Sequence, residues 1–370
     1  MAVTPRPERL APETFRLPVE RIRDGYYSDA YFNYTKQLLE EEGRDPHVTM
    51  EVFQRKDSIL GGIDEAVAIL KECAGEPGPD GAWTPAWDQL EVRALYEGDR
   101  ISPWETVMTI EGDYTTFGHL ETLYLGTLAR RTLVATNTTR VLEAANGKPI
   151  IFMAARHDHH RVQTGDGYAA YVAGRRLGVS IGVTSDAQAS WWGGRGVGTV
   201  PHALISAYGG NTVLAATKFA EWAPEEANIT VLVDFDNHSV KTALDVARAL
   251  GPRLWGVRLD TSETLVDRSL WQEFGDFKPT GVNERLVHKV RDALDADGFE
   301  QVKIVVSGGF TVEKISAFEE QGVPVDAYGV GSSLIRGSND FTADLVLTDG
   351  RPSAKVGRRF KPNPRLELVT

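Results

Sequence analysis

Between residues 150 and 330, short apolar runs alternate with helical stretches, and this rhythm leaves the chain few architectures. The runs are 150–154, 179–183, 229–233, 254–259, 302–306 and 325–330, with a candidate seventh at 197–200. Between them, apolar residues recur at helical spacing over 167–176, 212–222, 239–250, 283–295 and 312–321. Runs that are mainly apolar throughout suit parallel strands buried on both faces, and the intervening helices supply right-handed crossovers. Six such strands exceed what a single mononucleotide-binding half requires. The expected fold is α/β, an irregular TIM-like barrel rather than an open sheet.

The flanks follow a different pattern. Residues 48–53 and 104–111 are β-branched and aromatic with partial alternation, which predicts strands. Helices are predicted at 62–73, where Ile63, Val67 and Leu70 share a face, and at 117–133. The Gly- and Pro-rich stretch 74–82 reads as a loose excursion. In the tail, 344–348 predicts a strand, Asp349-Gly350 a hairpin turn and 354–356 a short further strand. The expected organisation is an N-terminal α+β domain over 1–135, a barrel domain over 136–340, and a tail over 341–370 that returns to the first domain.

The chain has 370 residues, and its 40 Lys and Arg against 52 Asp and Glu leave a net charge of −12. That balance argues against a generally basic nucleic-acid binder and against a polybasic membrane-surface protein. A single cysteine, Cys73, excludes an intrachain disulfide and a cysteine-rich zinc site, as suits a reducing cytosol. The first twenty residues hold no apolar core of a leader, and no run approaches the roughly 18 apolar residues of a membrane span. A cytoplasmic protein is the expectation.

Polar and glycine residues cluster just past each predicted barrel strand. Arg156 to Arg161 (RHDHHR) follow the first, Thr184, Ser185 and Asp186 the second, and Asp234, Asp236 and Asn237 the third. Arg258 lies near the end of the fourth and Asp260 follows it. Ser307-Gly308-Gly309 and Gly329-Val330-Gly331-Ser332-Ser333 close the series, each expected to open a helix. The carboxyl rim of a parallel barrel is where active sites sit. Glycine loops before helices suit a phosphate, because backbone N–H groups and the helix dipole both face it. No lysine stands where a Walker A loop needs one.

Several residues admit two readings. Asp234, Asp236 and Asp260 suit magnesium or ribose hydroxyls, but Asp236, Asn237, Asp260 or Thr261 could equally cap helices. The histidine-rich 156–161 loop lacks metal-ligand spacing and better suits anion contact through its arginines. Arg55-Lys56 is either added positive charge for a site or a solvated pair. His202, at or just inside a helix start, could be a core or capping histidine.

Gly198-Thr199-Val200-Pro201-His202-Ala203-Leu204 resembles the Gly-Thr-x-x-His motif of nicotinate phosphoribosyltransferases. The resemblance extends through Val231-Leu232-Val233-Asp234, Gly256-Val257-Arg258-Leu259-Asp260-Thr261, Val306-Ser307-Gly308-Gly309 and Gly329-Val330-Gly331-Ser332. It also takes in Phe53-Gln54-Arg55-Lys56, Gly112-Asp113-Tyr114, Leu120-Glu121-Thr122 and Ala135-Thr136-Asn137. These segments run in the family's order over nearly the whole chain.

The resemblance implies a barrel joined to an N-terminal α/β sandwich that the tail completes. It further implies that nicotinate and 5-phosphoribosyl 1-pyrophosphate give nicotinate mononucleotide and pyrophosphate, with ATP hydrolysis coupled, in NAD salvage. His202 resembles the histidine that ATP phosphorylates. Ser307, Gly308, Gly309, Gly329, Gly331 and Ser332 resemble the ribose 5-phosphate cradle. Asp234 and Asp260 resemble ribose and magnesium (Mg2+) contacts; Arg55, Lys56 and Arg258 resemble phosphate or pyrophosphate contacts. Arg156 would lie near the pyridine ring, and Tyr31 would stack on the base from a partner subunit, implying a homodimer. Thr184 and Ser185 stand where an amide-selecting relative has an acid, which favours nicotinate; Met153 replaces an aromatic found in relatives that use nicotinamide. A quinolinate or nicotinamide transferase, or a non-catalytic phosphoribosyl-ligand sensor, are the alternatives.

Overall fold

The computed structural model describes residues 8–273 and 275–370. The chain divides into two compact units, one of residues up to 136 together with 337–370, the other of residues 137–336. The second division falls four residues earlier than the expected 340. Residues 337–340 already belong to the first unit: Lys56 Nζ donates to the Ser338 carbonyl and Asn339 Nδ2 to Ser58 Oγ at 3.3 Å.

The first unit is built on a six-stranded antiparallel sheet. Its order is Arg351–Pro352, Phe341–Thr348, His47–Gln54, Thr106–Asp113, Glu91–Ala94, Glu367–Leu368. Three of these strands come from the tail, so the sheet is complete only with both ends of the chain. Seven of the eight residues of His47–Gln54 are buried, since the strand is covered on both faces. Val48, Met50 and Val52 join Ile63, Val67 and Leu70 of the helix Ile63–Cys73 and Leu120, Tyr124 and Leu128 in one core.

Three readings of this unit are corrected. The 74–82 stretch is no loose excursion: Gly75–Pro77 pairs antiparallel with Trp83–Pro85. The tail hairpin turns at Asp349 and Gly350, both at positive φ as a type I′ turn requires, but its return strand is Arg351–Pro352 and not 354–356. The long helix runs over Glu121–Ala144, well past 133. Beyond 133, Thr136, Thr138 and Thr139 are buried, and packing outweighs the few tenths of a kcal/mol that β-branched residues cost a helix.

The second unit is an α/β barrel of six parallel strands in the order Ile229–Leu232, Leu254–Leu259, Lys303–Val306, Ala327–Val330, Ile150–Phe152, Ile181–Val183. Residues 197–200 join its two edges. Val197 N donates to Val183 O at 2.7 Å, and Val200 N to Thr230 O at 2.8 Å. The candidate seventh run is therefore an extended closing segment with one parallel bridge, Val200 to Val231. Helices Thr212–Trp222 and Ser239–Leu250 match their predicted bounds. Neither Asp236 nor Asn237 caps the second of these: Ser239 N and Oγ both donate to the buried Asp267, at 3.0 and 2.6 Å.

Helix Gln163–Leu177 meets the short helix Asp186–Ala189 at Gly167, where an added Cβ would stand 2.3 Å from the Gln188 carbonyl oxygen. Alanine at an ordinary helix position gains about 1 kcal/mol over glycine. Here overpacking, at about 1–3 kcal/mol, should win. Gly167→Ala is therefore expected to lower the midpoint of urea unfolding; a raised midpoint would contradict the close approach.

Candidate active site

Parallel strands place all their carboxyl ends on one side, so the residues following them converge. There they line a cavity of about 510 Å³. Arg156, Thr184, His202, Arg258, Asp260, Ser307, Gly308, Gly309, Gly329, Gly331 and Ser332 all line it. Asp234 is held against one of them, accepting from His202 Nε2 at 3.0 Å. Ser185 does not line the cavity; its Oγ caps the helix Asp186–Ala189 and donates to Gln163 Oε1 at 3.0 Å. Tyr31, Arg55 and Lys56 belong to the first unit, Tyr31 exposed on the helix Ala30–Glu41 and Arg55 5.1 Å from the Trp104 ring.

Arg258, Asp260 and Ser307 form a closed polar set. Arg258 Nε donates to Ser307 Oγ at 2.8 Å, and its NH2 reaches Asp260 Oδ2 at 3.3 Å. Ser307 Oγ donates onward to Asp260 Oδ1 at 2.7 Å. Asp260 therefore serves no helix end. The set spans two adjacent strands in register, Arg258 beside Val305 and Leu259 beside Val306. A guanidinium held at two points keeps its remaining donors aimed in one direction.

The glycines are required by shape. Gly308 and Gly309 lie at φ +85° and +72°, a region other residues rarely enter. A Cβ on Gly329 would stand 2.7 Å from Met153 Sδ, and one on Gly331 2.8 Å from His157 Nε2. Thr311 caps the nine-residue helix Val312–Glu320, whose N-terminus follows the first glycine loop. The second loop opens no α-helix but only the 3-10 turn Ser332–Leu334, so a dipole contribution applies to the first loop alone.

Thr184 is oriented by Gln188, whose Oε1 accepts from Thr184 N at 3.0 Å and lies 3.3 Å from its hydroxyl. Asp186 is turned elsewhere: it accepts from Gly196 N at 2.8 Å and does not line the cavity. No carboxylate therefore comes from this loop to the lining. Residues that sequence reasoning did not single out complete the wall, chiefly Leu232, Ala203 and Phe310. Leu232 ends a strand and stands beside Asp234 in the family-resembling run 231–234, the two signals that could have found it. His157 lines the cavity too, while His159 accepts from Arg161 N within its own loop. Among the described residues, no three His, Cys, Asp or Glu side chains are grouped to hold a metal. No helix among them is long and apolar enough to cross a membrane.

His202 begins the helix His202–Ala207 with its side chain 42% exposed, so it is neither a core residue nor a side-chain cap. The hydrogen bond to Asp234 holds its pKa above the usual histidine value, against partial burial, which lowers it. A raised pKa adds stability below the unfolded value, and that contribution is lost as pH rises through the folded one. Asp234→Asn should move the NMR titration midpoint of the His202 ring to lower pH. An unchanged midpoint would mean that the pair does not form in solution.

Two family models cover most of the chain: the quinolinate phosphoribosyl transferase N-terminal domain over residues 29–132 and its C-terminal domain over 134–340. The chain is 33% identical over 284 residues to nicotinate phosphoribosyltransferase pncB1 of Mycobacterium tuberculosis, covering 74% of this chain and 57% of that protein. It is 25% identical over 258 residues to the nicotinate phosphoribosyltransferase of Bacillus subtilis, covering 65% and 45%. It thus spans about half the length of these relatives. A crystal structure of nicotinate-nucleotide pyrophosphorylase from Pyrococcus furiosus aligns with a TM-score of 0.77 at 31% identity, over 95% of this chain and 85% of that one. Human nicotinic acid phosphoribosyltransferase shares the fold, with a TM-score of 0.59 at 20% identity over 88% and 76%. The chain belongs to the quinolinate and nicotinate phosphoribosyltransferase family, the type II phosphoribosyltransferases.

Proposed function

We propose that this protein is a cytoplasmic nicotinate phosphoribosyltransferase of NAD salvage, which couples transfer from 5-phosphoribosyl 1-pyrophosphate to ATP hydrolysis. The observation that carries the reading is the Arg258–Ser307–Asp260 set beside Gly308 and Gly309 in the cavity that also holds His202. The names of the mycobacterial and Bacillus relatives support nicotinate as the substrate.

In the reaction, the pyridine nitrogen attacks the anomeric carbon while the bond to pyrophosphate breaks, its electron pair leaving with pyrophosphate. Positive charge develops on the sugar and negative charge on the leaving group. The backbone of Ser307 to Gly309, with Gly329, Gly331 and Ser332, receives the 5-phosphate. Asp234 and Asp260 face the ribose hydroxyls and tolerate the positive sugar; Arg258 is aimed at the phosphates. Arg156 pairs with the nicotinate carboxylate, and Thr184 adds a hydroxyl with no acid to repel it. No general base is needed, since the pyridine nitrogen is unprotonated near neutral pH, and positioning is the protein's main contribution.

Magnesium, when bound, neutralises the pyrophosphate. Asp234 and Asp260 would hold it with the substrate's own oxygens, the arrangement this ion prefers to an all-protein cage. Their acceptor chemistry fits, and a site completed by substrate needs no third protein ligand among the described residues.

His202 Nε2 lies against Asp234, so the tautomer with its proton on Nε2 leaves the Nδ1 lone pair free. Nδ1 attacks the γ-phosphorus of ATP as ADP leaves, and water later releases phosphate from the histidine. A second copy of the chain would supply Tyr31. The helix that carries it buries none of its residues and leaves Tyr31, Tyr34 and Leu38 exposed, an apolar face that a homodimer would cover.

Protein mixed with magnesium and 5-phosphoribosyl 1-pyrophosphate should form mononucleotide and pyrophosphate from nicotinate, faster with ATP, but not from nicotinamide or quinolinate. Product from nicotinamide or quinolinate alone would replace the substrate, and no turnover with any of the three would favour a sensor. His202→Ala should lose ATP stimulation and keep basal transfer. Loss of both would give His202 a different role.

A further inference from the structure

Two glutamines behind the barrel cavity tie together the loops that carry Arg156 and Thr184, and neither lines the cavity itself. Gln163, the first residue of the helix Gln163–Leu177, donates from Nε2 to the Ala155 carbonyl at 3.1 Å. Its Oε1 accepts from Ser185 Oγ at 3.0 Å. One side-chain amide thus joins the residue before Arg156 to the residue after Thr184.

Gln188 fixes the second loop from the other side. Its Oε1 accepts from Thr184 N at 3.0 Å and from Ser185 N at 3.1 Å, and its own backbone N–H donates to Ser185 Oγ at 3.3 Å. The side chain is buried, and its Nε2 has no hydrogen-bond partner among the described residues. An unpaired buried donor destabilises, yet the opposite orientation of the amide would break both backbone bonds. The loop's position is what this arrangement preserves.

An amide oxygen has two lone pairs, and two backbone N–H groups fill those of Gln188. The Thr184 hydroxyl stands farther off, at 3.3 Å, beyond the roughly 2.5–3.0 Å of a good O–H···O bond. Its proton is therefore available to a group in the cavity. A carboxylate accepts at both oxygens, so it can take a guanidinium on one side and this proton on the other, in charge-assisted bonds. A carboxamide brings one acceptor and one donor to the same two donors. The discrimination holds only where both reach one group at once, which makes the spacing of the two loops decisive.

We propose that Gln163 and Gln188 are positioning residues that hold Arg156 and Thr184 at the spacing of a carboxylate, and so select nicotinate over nicotinamide. The inference rests on the reaction proposed above. Ser185, which does not touch the cavity, acts in it as the tether between the two glutamines.

Steady-state kinetics of the full chain, with nicotinamide as a competing base, test this. Gln163→Met and Gln188→Met keep side-chain length and remove the bonds. Each should raise KM for nicotinate about tenfold. The kcat, the KM for 5-phosphoribosyl 1-pyrophosphate and the inhibition constant of nicotinamide should stay within about twofold. In a Thr184→Val background, Gln188→Met should add less than about twofold, because it acts through that hydroxyl. An unchanged KM for nicotinate in Gln163→Met overturns the proposal, as does a parallel rise for both substrates or full additivity with Thr184→Val. Should Gln188→Met not fold, Gln163→Met decides alone, since Gln163 is only partly buried. Wild-type protein that turns over no pyridine base overturns the reaction and this inference together; turnover with unaltered variants overturns this inference alone.

Discussion

Four residues complete the barrel. The parallel sheet of the second unit has two open edges, Ile181–Val183 and Ile229–Leu232, and residues 197–200 hydrogen-bond to both. Open edges leave unpaired backbone groups, so this segment satisfies donors and acceptors that would otherwise face water or another chain. It also delivers His202 to the rim, two residues after its last bond to the sheet. The loop before it is fixed in turn by Asp186 accepting from Gly196 N, and a Cβ at Gly196 would stand 2.9 Å from the Ser185 backbone. One local run of hydrogen bonds thus joins sheet closure to the placement of the candidate phosphoryl acceptor.

Charge is distributed against the bulk composition. The chain carries −12 overall, yet its cavity places Arg156, His157, His202 and Arg258 around Asp260. Screening confines exposed charge to within about 10 Å, so local arrangement decides what an anion meets. The carboxylates are also committed before any ligand arrives: Asp234 to His202, Asp260 to Arg258 and Ser307. Such fixed groups need little reorganisation when a charged substrate enters.

Much of this was legible in sequence because it is periodic or local. Apolar runs and helical spacing located the barrel strands to within a few residues, and Asp349-Gly350 announced its turn. What failed had a physical cause in each case. The long helix was expected only as far as 133, but buried threonines beyond it stay helical to Ala144. The 74–82 stretch looked loose until pairing made it half a hairpin. Asp236 and Asn237 sat where a cap belongs, while the cap came from Asp267, 28 positions away from Ser239. Ser185 matched a site position, yet its hydroxyl was taken by a helix start.

By itself, the sequence determined the order of strands and helices, the residue types gathered at the strand ends and the family, since these follow from pattern and composition along the chain. Only the tertiary structure decided which of those residues share a cavity, that Arg258 and Asp260 are bridged by Ser307, that Asp234 orients His202, and that Asp186 is turned away. It also decided that the tail supplies three strands of the first sheet. The physical reason is the same throughout: a hydrogen bond between residues dozens to hundreds of positions apart depends on strand register and ring closure, and neither is written in local spacing.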